Sequence, residues 1–402
     1  MSERLEARAR RALTAVRAPG ETAAQDRAWA TVRAAYRERP APTPARSRRR
    51  VALVPVVAAL IGATALSPAG ASVTRIINRA LSPGRAAHIS RAPALSLPTP
   101  GKLLLSNSRG TWVVSAHGSV RRLGAWTQAS WSPLGKYLAV GSSGALAAID
   151  PAGRLAWSVS ERTVSDPRWY SPSGYRVAYR SGGDLREIAG DGRGDHLLAT
   201  AVAPIAPAWR PGHDFQVAYA TRRGAVIVRG GDTGNVVWRS GPHPGRPVLL
   251  SWSPAGTRLV LVTSAGAWLY LPGPAPPVRI ALPVRGPVLD AAASPDGRWL
   301  AIVRGRAAPR QRGGGTAPQL QIADLTTPAR RPRTVLSGVP VSQPTWAPDS
   351  HWLLVTWPAA NQWWFVAATG RTRIIAESRV VAKLGAGGRA APLHLEGWCC
   401  AQ

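Results

Sequence analysis

Cysteine, methionine, phenylalanine and lysine are all scarce in this chain of 402 residues, which holds 2 Cys, 1 Met and 2 Phe, with lysine only at positions 102, 136 and 383. The cysteines are neighbours, Cys399 and Cys400, so no disulfide framework, zinc ribbon or zinc finger can be built from them. Neighbouring Cα atoms stand roughly 3.8 Å apart, below the usual disulfide range of about 4.4–6.8 Å. Two reduced thiols, or links to another chain, are therefore expected in preference to a strained vicinal bridge. The 7 histidines, at 88, 117, 196, 213, 243, 351 and 394, form no H-E-x-x-H or H-x-H group that would hold a metal. There is no G-x-S-x-G elbow, no phosphate-binding loop, and no dinucleotide fingerprint behind a strand. Acidic residues are sparse, and Asp184, Asp191, Asp195, Asp232, Asp296 and Asp349 all sit near turns, where aspartate caps backbone N–H groups. With no catalytic constellation, the chain is expected to be a non-enzyme without a metal or other cofactor.

What the chain has in abundance is arginine, glycine, proline and tryptophan, with 40 Gly, 37 Pro, 17 Trp and a formal net charge of +31. Hydrophobic residues make up 45%, which excludes wholesale disorder. The charge has two readings, an anionic partner or the amino-acid bias of a GC-rich genome. Nucleic acid is not the expected partner.

Residues 1–45 mix alanine and arginine in helix-forming patterns, with Thr22 and Gln25 spaced as in a capping box. They carry too little apolar surface for a strong core. The region is either a partly disordered tail or a helical docking element for a cytoplasmic partner. A basic stop follows over residues 46–50, with arginines at 46 and 48–50. From Val51 to Thr74 no charged residue occurs. A helix of that length reaches roughly 36 Å, enough for a hydrocarbon core of about 30 Å. One transmembrane helix over residues 51–73 is expected, and the arginines before it predict a cytoplasmic amino terminus with everything after it extracytoplasmic. Ala69–Ala71 also suits signal-peptide cleavage, but the prefix is far longer than an ordinary n-region, which favours an uncleaved anchor. Residues 74–101 read as a juxtamembrane helix and a linker.

Residues 102–400 repeat one phrase. "SWSPLGKYLAV", "RWYSPSGYRVAY", "AWRPGHDFQVAY", "SWSPAGTRLVLV", "AASPDGRWLAIV" and "TWAPDSHWLLV" place prolines at 133, 172, 211, 254, 295 and 348, separated by 39, 39, 43, 41 and 53 residues. Strands at such a period are the signature of β-propeller blades. Six phrases allow six blades. The ends predict a seventh: "KLLLSN", "TWVVSA" and "SVRRLG" lack an opening strand, and "PLHLEGWCC" offers an apolar strand with nothing after it. Pairing them closes the ring and hides its edges. The expected fold is thus all-β, a seven-bladed propeller with a six-bladed alternative, closed by the C-terminal strand against the N-terminal strands.

"SPDG" at Ser294–Gly297, with "SPLG", "SPSG" and "SPAG" elsewhere, resembles the repeat of TolB-type propellers and, more loosely, that of WD-repeat proteins. "RPGH" (Arg210–His213) and "APDS" (Ala347–Ser350) depart from it in the turn glycine. The resemblance implies fold rather than function. An anchor ahead of such a propeller is also similar to envelope sensors and anti-sigma regulators, although the His/Cys zinc pattern of many anti-sigma domains is absent.

Two candidate binding features remain. Arg304, Arg306, Arg310 and Arg312 fall in an Arg/Gly/Pro insertion, read as an exposed loop for an anionic ligand. Trp357, Trp363 and Trp364 form a candidate aromatic patch for a sugar polymer or peptide. Trp131, Trp169, Trp209, Trp252 and Trp346 hold the repeat position and are expected in the core. The expected function is a membrane-anchored binding or scaffold module for a protein or anionic envelope polymer. The alternatives are a transmembrane regulator and, behind it, a propeller hydrolase or lyase.

Overall fold

In the computed structural model the described residues are 95–400, apart from 272, 274, 283–285, 306–316, 371 and 385–391, together with the backbone of strand Ile89–Ser90. They form seven sheets of four strands or more, antiparallel apart from one parallel edge pairing. From innermost to outermost strand, blade 1 runs from Gln128–Trp131 to Leu155–Glu161 and blade 2 from Ser165–Trp169 to His196–Ala199. Blade 3 runs from Ala208–Trp209 to Val236–Arg239, blade 4 from Pro247–Trp252 to Val278–Arg279, and blade 5 from Val288–Ala293 to Arg333–Ser337. Blade 6 runs from Ser342–Trp346 to Ile374–Ser378. Blade 7 is the predicted composite: His394–Cys399 is its innermost strand, paired with Lys102–Asn107, which continues into Gly110–Ser115 and Val120–Gly124. The inner strands touch in sequence around the circle, and His394–Cys399 touches blade 1, so the ring is closed. The six-bladed alternative is excluded.

The hydrophobic core is divided among the seven interfaces between blades, one cluster to each. This explains why the second and third strands of a blade read as continuous apolar runs. Successive side chains leave a strand on opposite faces, and here both faces are covered. In Lys102–Asn107, Leu103 and Leu105 pack against blade 6, while Leu104 packs against blade 1. The repeated phrase supplies the turn between the first two strands. Ser132, Ser253 and Ser294 accept, through their hydroxyls, the N–H groups of Tyr137, Arg258 and Trp299 at 3.0, 3.1 and 2.8 Å. The glycine of the phrase takes a positive φ, 65° at Gly135 and 70° at Gly297. In "APDS" Ser350 carries that conformation itself, with φ 59°.

Two of the phrase tryptophans bond to the neighbouring blade. The indole N–H of Trp209 donates to the Arg168 carbonyl of blade 2 at 2.8 Å, and that of Trp346 to the Ala292 carbonyl of blade 5 at 2.9 Å.

Two local findings add to or differ from the sequence reading. Ile89–Ser90, within the stretch read as juxtamembrane helix and linker, pairs in parallel with Ile374–Ile375 as a fifth strand of blade 6. Cys399 and Cys400, expected as thiols or links to another chain, are joined as a vicinal disulfide with Cα atoms 3.7 Å apart. The strand ends at Cys399, and Cys400 turns to φ 63°, which brings together two side chains that an extended strand would hold on opposite faces. Helix is confined, among the described residues, to Pro358–Ala360 and Val380–Lys383. The expected region 1–45, basic stop and span at 51–73 lie outside the described residues. Among the described residues no helix is long and apolar enough to cross a membrane.

Candidate functional site: the axial channel

The inner strands of all seven blades wall a cavity of roughly 560 Å³ on the ring axis. Its lining is set by one repeat position, three residues before the phrase tryptophan. That position is Gln128 in blade 1, Asp166 in blade 2, Ala206 in blade 3, Leu249 in blade 4 and Gln343 in blade 6, with Asp290 at the matching place in blade 5. The wall is accordingly two-sided. Blades 1, 2, 5, 6 and 7 present ionisable or amide groups, whereas blades 3 and 4 present Ile205, Ala206, Val248 and Leu249 with Ser251 beside them.

Most of the polar groups are used between blades. The Gln128 side-chain carbonyl accepts the N–H of Asp166 at 3.2 Å, and the Asp290 carboxylate accepts the N–H of Gln343 at 2.8 Å. The Gln343 amide accepts the N–H of Leu395 at 2.8 Å and donates to the carbonyl of Leu393 at 3.0 Å. Asp166 and Gln343, each followed by proline, hold positive φ angles of 51° and 52°. The bond from the preceding blade holds the N–H of each in that costly conformation. Asp166 also receives Arg180 through two guanidinium nitrogens, at 2.8 and 2.9 Å.

Glu396 differs. It sits on the closing strand where the register with Lys102–Asn107 shifts, and one carboxylate oxygen accepts the hydroxyl of Ser106. No cation lies within ion-pair distance of it among the described residues. Burial drives its carboxyl up to about 7, against the lowering pull of the Ser106 hydroxyl and the Arg168 charge. Burial likewise raises Asp290, partly offset by the N–H groups of Gln343 and Ala291. Arg168, on the same wall, donates to the carbonyl of Pro167 at 2.8 Å.

A second polar cluster lies between blades 2 and 3. Eight of the 20 acidic residues fall between Glu161 and Asp232, in a chain whose overall charge is strongly positive. Glu187 is fully buried there, with Arg176 3.2 Å away. Arg176 crosses to Asp232 of blade 3 with two bonds, at 2.8 and 3.1 Å. Burial pushes Glu187 up to about 7, with Asp232 adding to the rise while His196 and Arg176 oppose it. Gly231 packs so closely on this carboxylate that no Cβ would fit.

The residues singled out from sequence are placed differently. Arg304 is the last residue of strand Trp299–Arg304 and is buried, donating to the Gly286 carbonyl at 2.5 Å. Arg306, Arg310 and Arg312 lie outside the described residues, so the structure brings none of the four together. Trp363 and Trp364 are buried on opposite faces of their strand, Trp363 toward blade 7 and Trp364 toward blade 5. Trp357 is partly buried and meets Trp364 edge-on at 5.4 Å. These indoles fill two interfaces and do not form a common surface. Much of the arginine excess has a structural use. Arg210 donates to Gly256, Arg229 to Leu198, Arg258 to Leu325 and Arg333 to Ala368, each reaching a carbonyl of the adjacent blade at 2.6–3.1 Å.

No family model matches the chain and no curated protein matches it. Among solved structures it is similar to "KlHsv2 with loop 6CD replaced by a Gly-Ser linker", at 12% identity and a TM-score of 0.49, over 69% of this chain and 94% of that chain.

Proposed function

We propose that this chain is a TolB-like propeller held at the outer face of a membrane by a helix over residues 51–73, and that it works as a binding or scaffold module rather than an enzyme. The ring recognises a protein or an anionic envelope polymer through its loops and channel mouth, while residues 1–45 remain in the cytoplasm. The observation that carries the binding reading is the axial channel. Seven blades converge on one walled cavity, and Gln128, Asp290 and Gln343 are fixed by bonds between blades, which gives a rigid recognition surface at little ordering cost. The vicinal disulfide supports an extracytoplasmic ring, because disulfides persist in oxidising compartments.

The test is crosslinking of the full-length chain in intact cells, with a photoreactive residue replacing exposed Leu134 or Leu289. A single adduct captured from the outer face supports the reading. Adducts to nothing but random neighbours overturn it, and a partner captured solely by residues 1–45 favours the regulator. Topology mapping that finds position 20 and position 240 in the same compartment overturns the anchor.

A further inference from the structure

Of the channel carboxylates, Glu396 has the fewest partners among the described residues. Both oxygens of Asp290 are occupied, by the N–H groups of Ala291 and Gln343 at 2.9 and 2.8 Å. Asp166 is paired with Arg180 at 2.8 Å. Among the described residues Glu396 has the Ser106 hydroxyl on one oxygen and no hydrogen-bond or ion-pair partner on the other. Setting Asp166 against Arg180 leaves Asp290 and Glu396 with Arg168 and the imidazole of His394 as the other ionisable groups of the lining, two carboxylates against one permanent cation in a chain of net charge +31.

Glu396 is partly buried and lines the cavity wall. A carboxylate in such a recess, with less water around it, attracts a cation more strongly than one at an open surface. The opposite wall fixes the rest of the ligand, since Ile205, Ala206, Val248 and Leu249 offer hydrocarbon contact and no charge. A cationic head on a short apolar stem meets both walls at once.

We propose that the axial channel is a binding site for an alkylguanidinium or alkylammonium group, the chemistry of an arginine or lysine side chain, with Glu396 receiving the cation and the wall of blades 3 and 4 receiving the stem. This deepens the binding-module reading and rests on it. Arg168 opposes the ligand by charge and sets how tightly it is held.

Calorimetric titration of the full-length chain in detergent micelles with agmatine, and separately with a capped peptide bearing one central arginine, tests the site. Saturable binding of either probe is expected. Agmatine alone points to a free amine, and the peptide alone points to a side chain carried by a partner. Glu396→Gln keeps an oxygen for the Ser106 hydroxyl and is expected to weaken binding by about 30-fold or more, the loss typical of a buried charge partner. Arg168→Ala keeps the backbone carbonyl that Trp209 uses and is expected to strengthen binding. Because Glu396 gives up a proton near neutral pH when the cation arrives, the heat should depend on the ionisation enthalpy of the buffer, with protons released. Absence of saturable binding by both probes, or equal binding by Glu396→Gln, overturns the proposal. So does weaker binding by Arg168→Ala. A null titration alongside a captured outer-face partner removes the channel site and leaves the module reading standing. A positive titration with no partner in cells does the reverse.

Discussion

Replacing Glu187 by glutamine should stabilise the propeller, and more so as the pH rises. The carboxyl is fully buried between blades 2 and 3, and its affinity for a proton rises from the ordinary 4.5 to about 7. The folded chain therefore binds this proton more tightly than the unfolded chain does. Stability from this group is fully present below 4.5 and declines as the pH climbs, levelling off above about 7. At about 1.4 kcal/mol per unit, the loss across that window comes to about 3 kcal/mol. Arg176, His196 and Asp232 face the group, and their influence is already contained in its raised value. Glutamine has the shape of the protonated acid and does not ionise, so the variant should match the native chain near pH 4.5 and exceed it at pH 8. For a domain of this size the gain corresponds to roughly 6 °C in Tm. Thermal unfolding of both chains, followed by tryptophan fluorescence from pH 4.5 to pH 8.5, measures the difference directly. A variant less stable than the native chain at pH 8, or a difference that does not change with pH, refutes the reasoning.

Three other outcomes follow from the geometry. Trp398→Ala empties a buried site in the cluster between blades 6 and 7, where its ring meets Phe365 at 5.7 Å; denaturant unfolding should show a loss of about 3 kcal/mol or more, and a loss below about 1 kcal/mol would contradict closure by this strand. Gln343→Ala removes the bonds to Leu395 and Leu393 and leaves an N–H and a carbonyl unmatched at the blade 6 to blade 7 seam; the same assay should read about 2 kcal/mol, and an unchanged midpoint would show that water replaces the amide. Alkylation of the unfolded full-length chain from intact cells should label Cys399 and Cys400 only after a reductant is added, and labelling without one would place the chain in a reducing compartment.

The fold was legible because a propeller writes its turn chemistry into every blade. The spacing of the "SP-x-G" turns gave the period, and the unmatched strands at 102–124 and 394–399 revealed the split blade. The site was harder to read for a physical reason. Its polar residues occur once per blade in strands that otherwise look like core, so Gln128, Asp166, Asp290, Gln343 and Glu396 each seem incidental until the ring stacks them on one axis. Alignment on the position three before the phrase tryptophan would have exposed most of them, although the register shift at Leu104 and Leu105 hides Glu396 even then. The arginines mislead in the opposite direction. A guanidinium that reaches a carbonyl one blade away, as Arg210 and Arg258 do, leaves no local trace to distinguish it from surface charge. Trp363 and Trp364 looked like a patch because adjacency in sequence suggests adjacency in space, whereas a strand sends neighbours to opposite sides.

The composite blade also orders events in time. Ser106 and Glu396, which meet across its first two strands, are 290 residues apart in the chain, so a sheet begun ahead of blades 1–5 is the last to be finished. Until residues 394–399 arrive, Leu103, Leu104 and Leu105 stand on a bare strand edge ready to capture any extended peptide. A nascent chain interrupted before that point carries its own mark of incompleteness, visible to any chaperone or protease that binds unpaired strands, and the mark vanishes in a single step when the circle joins.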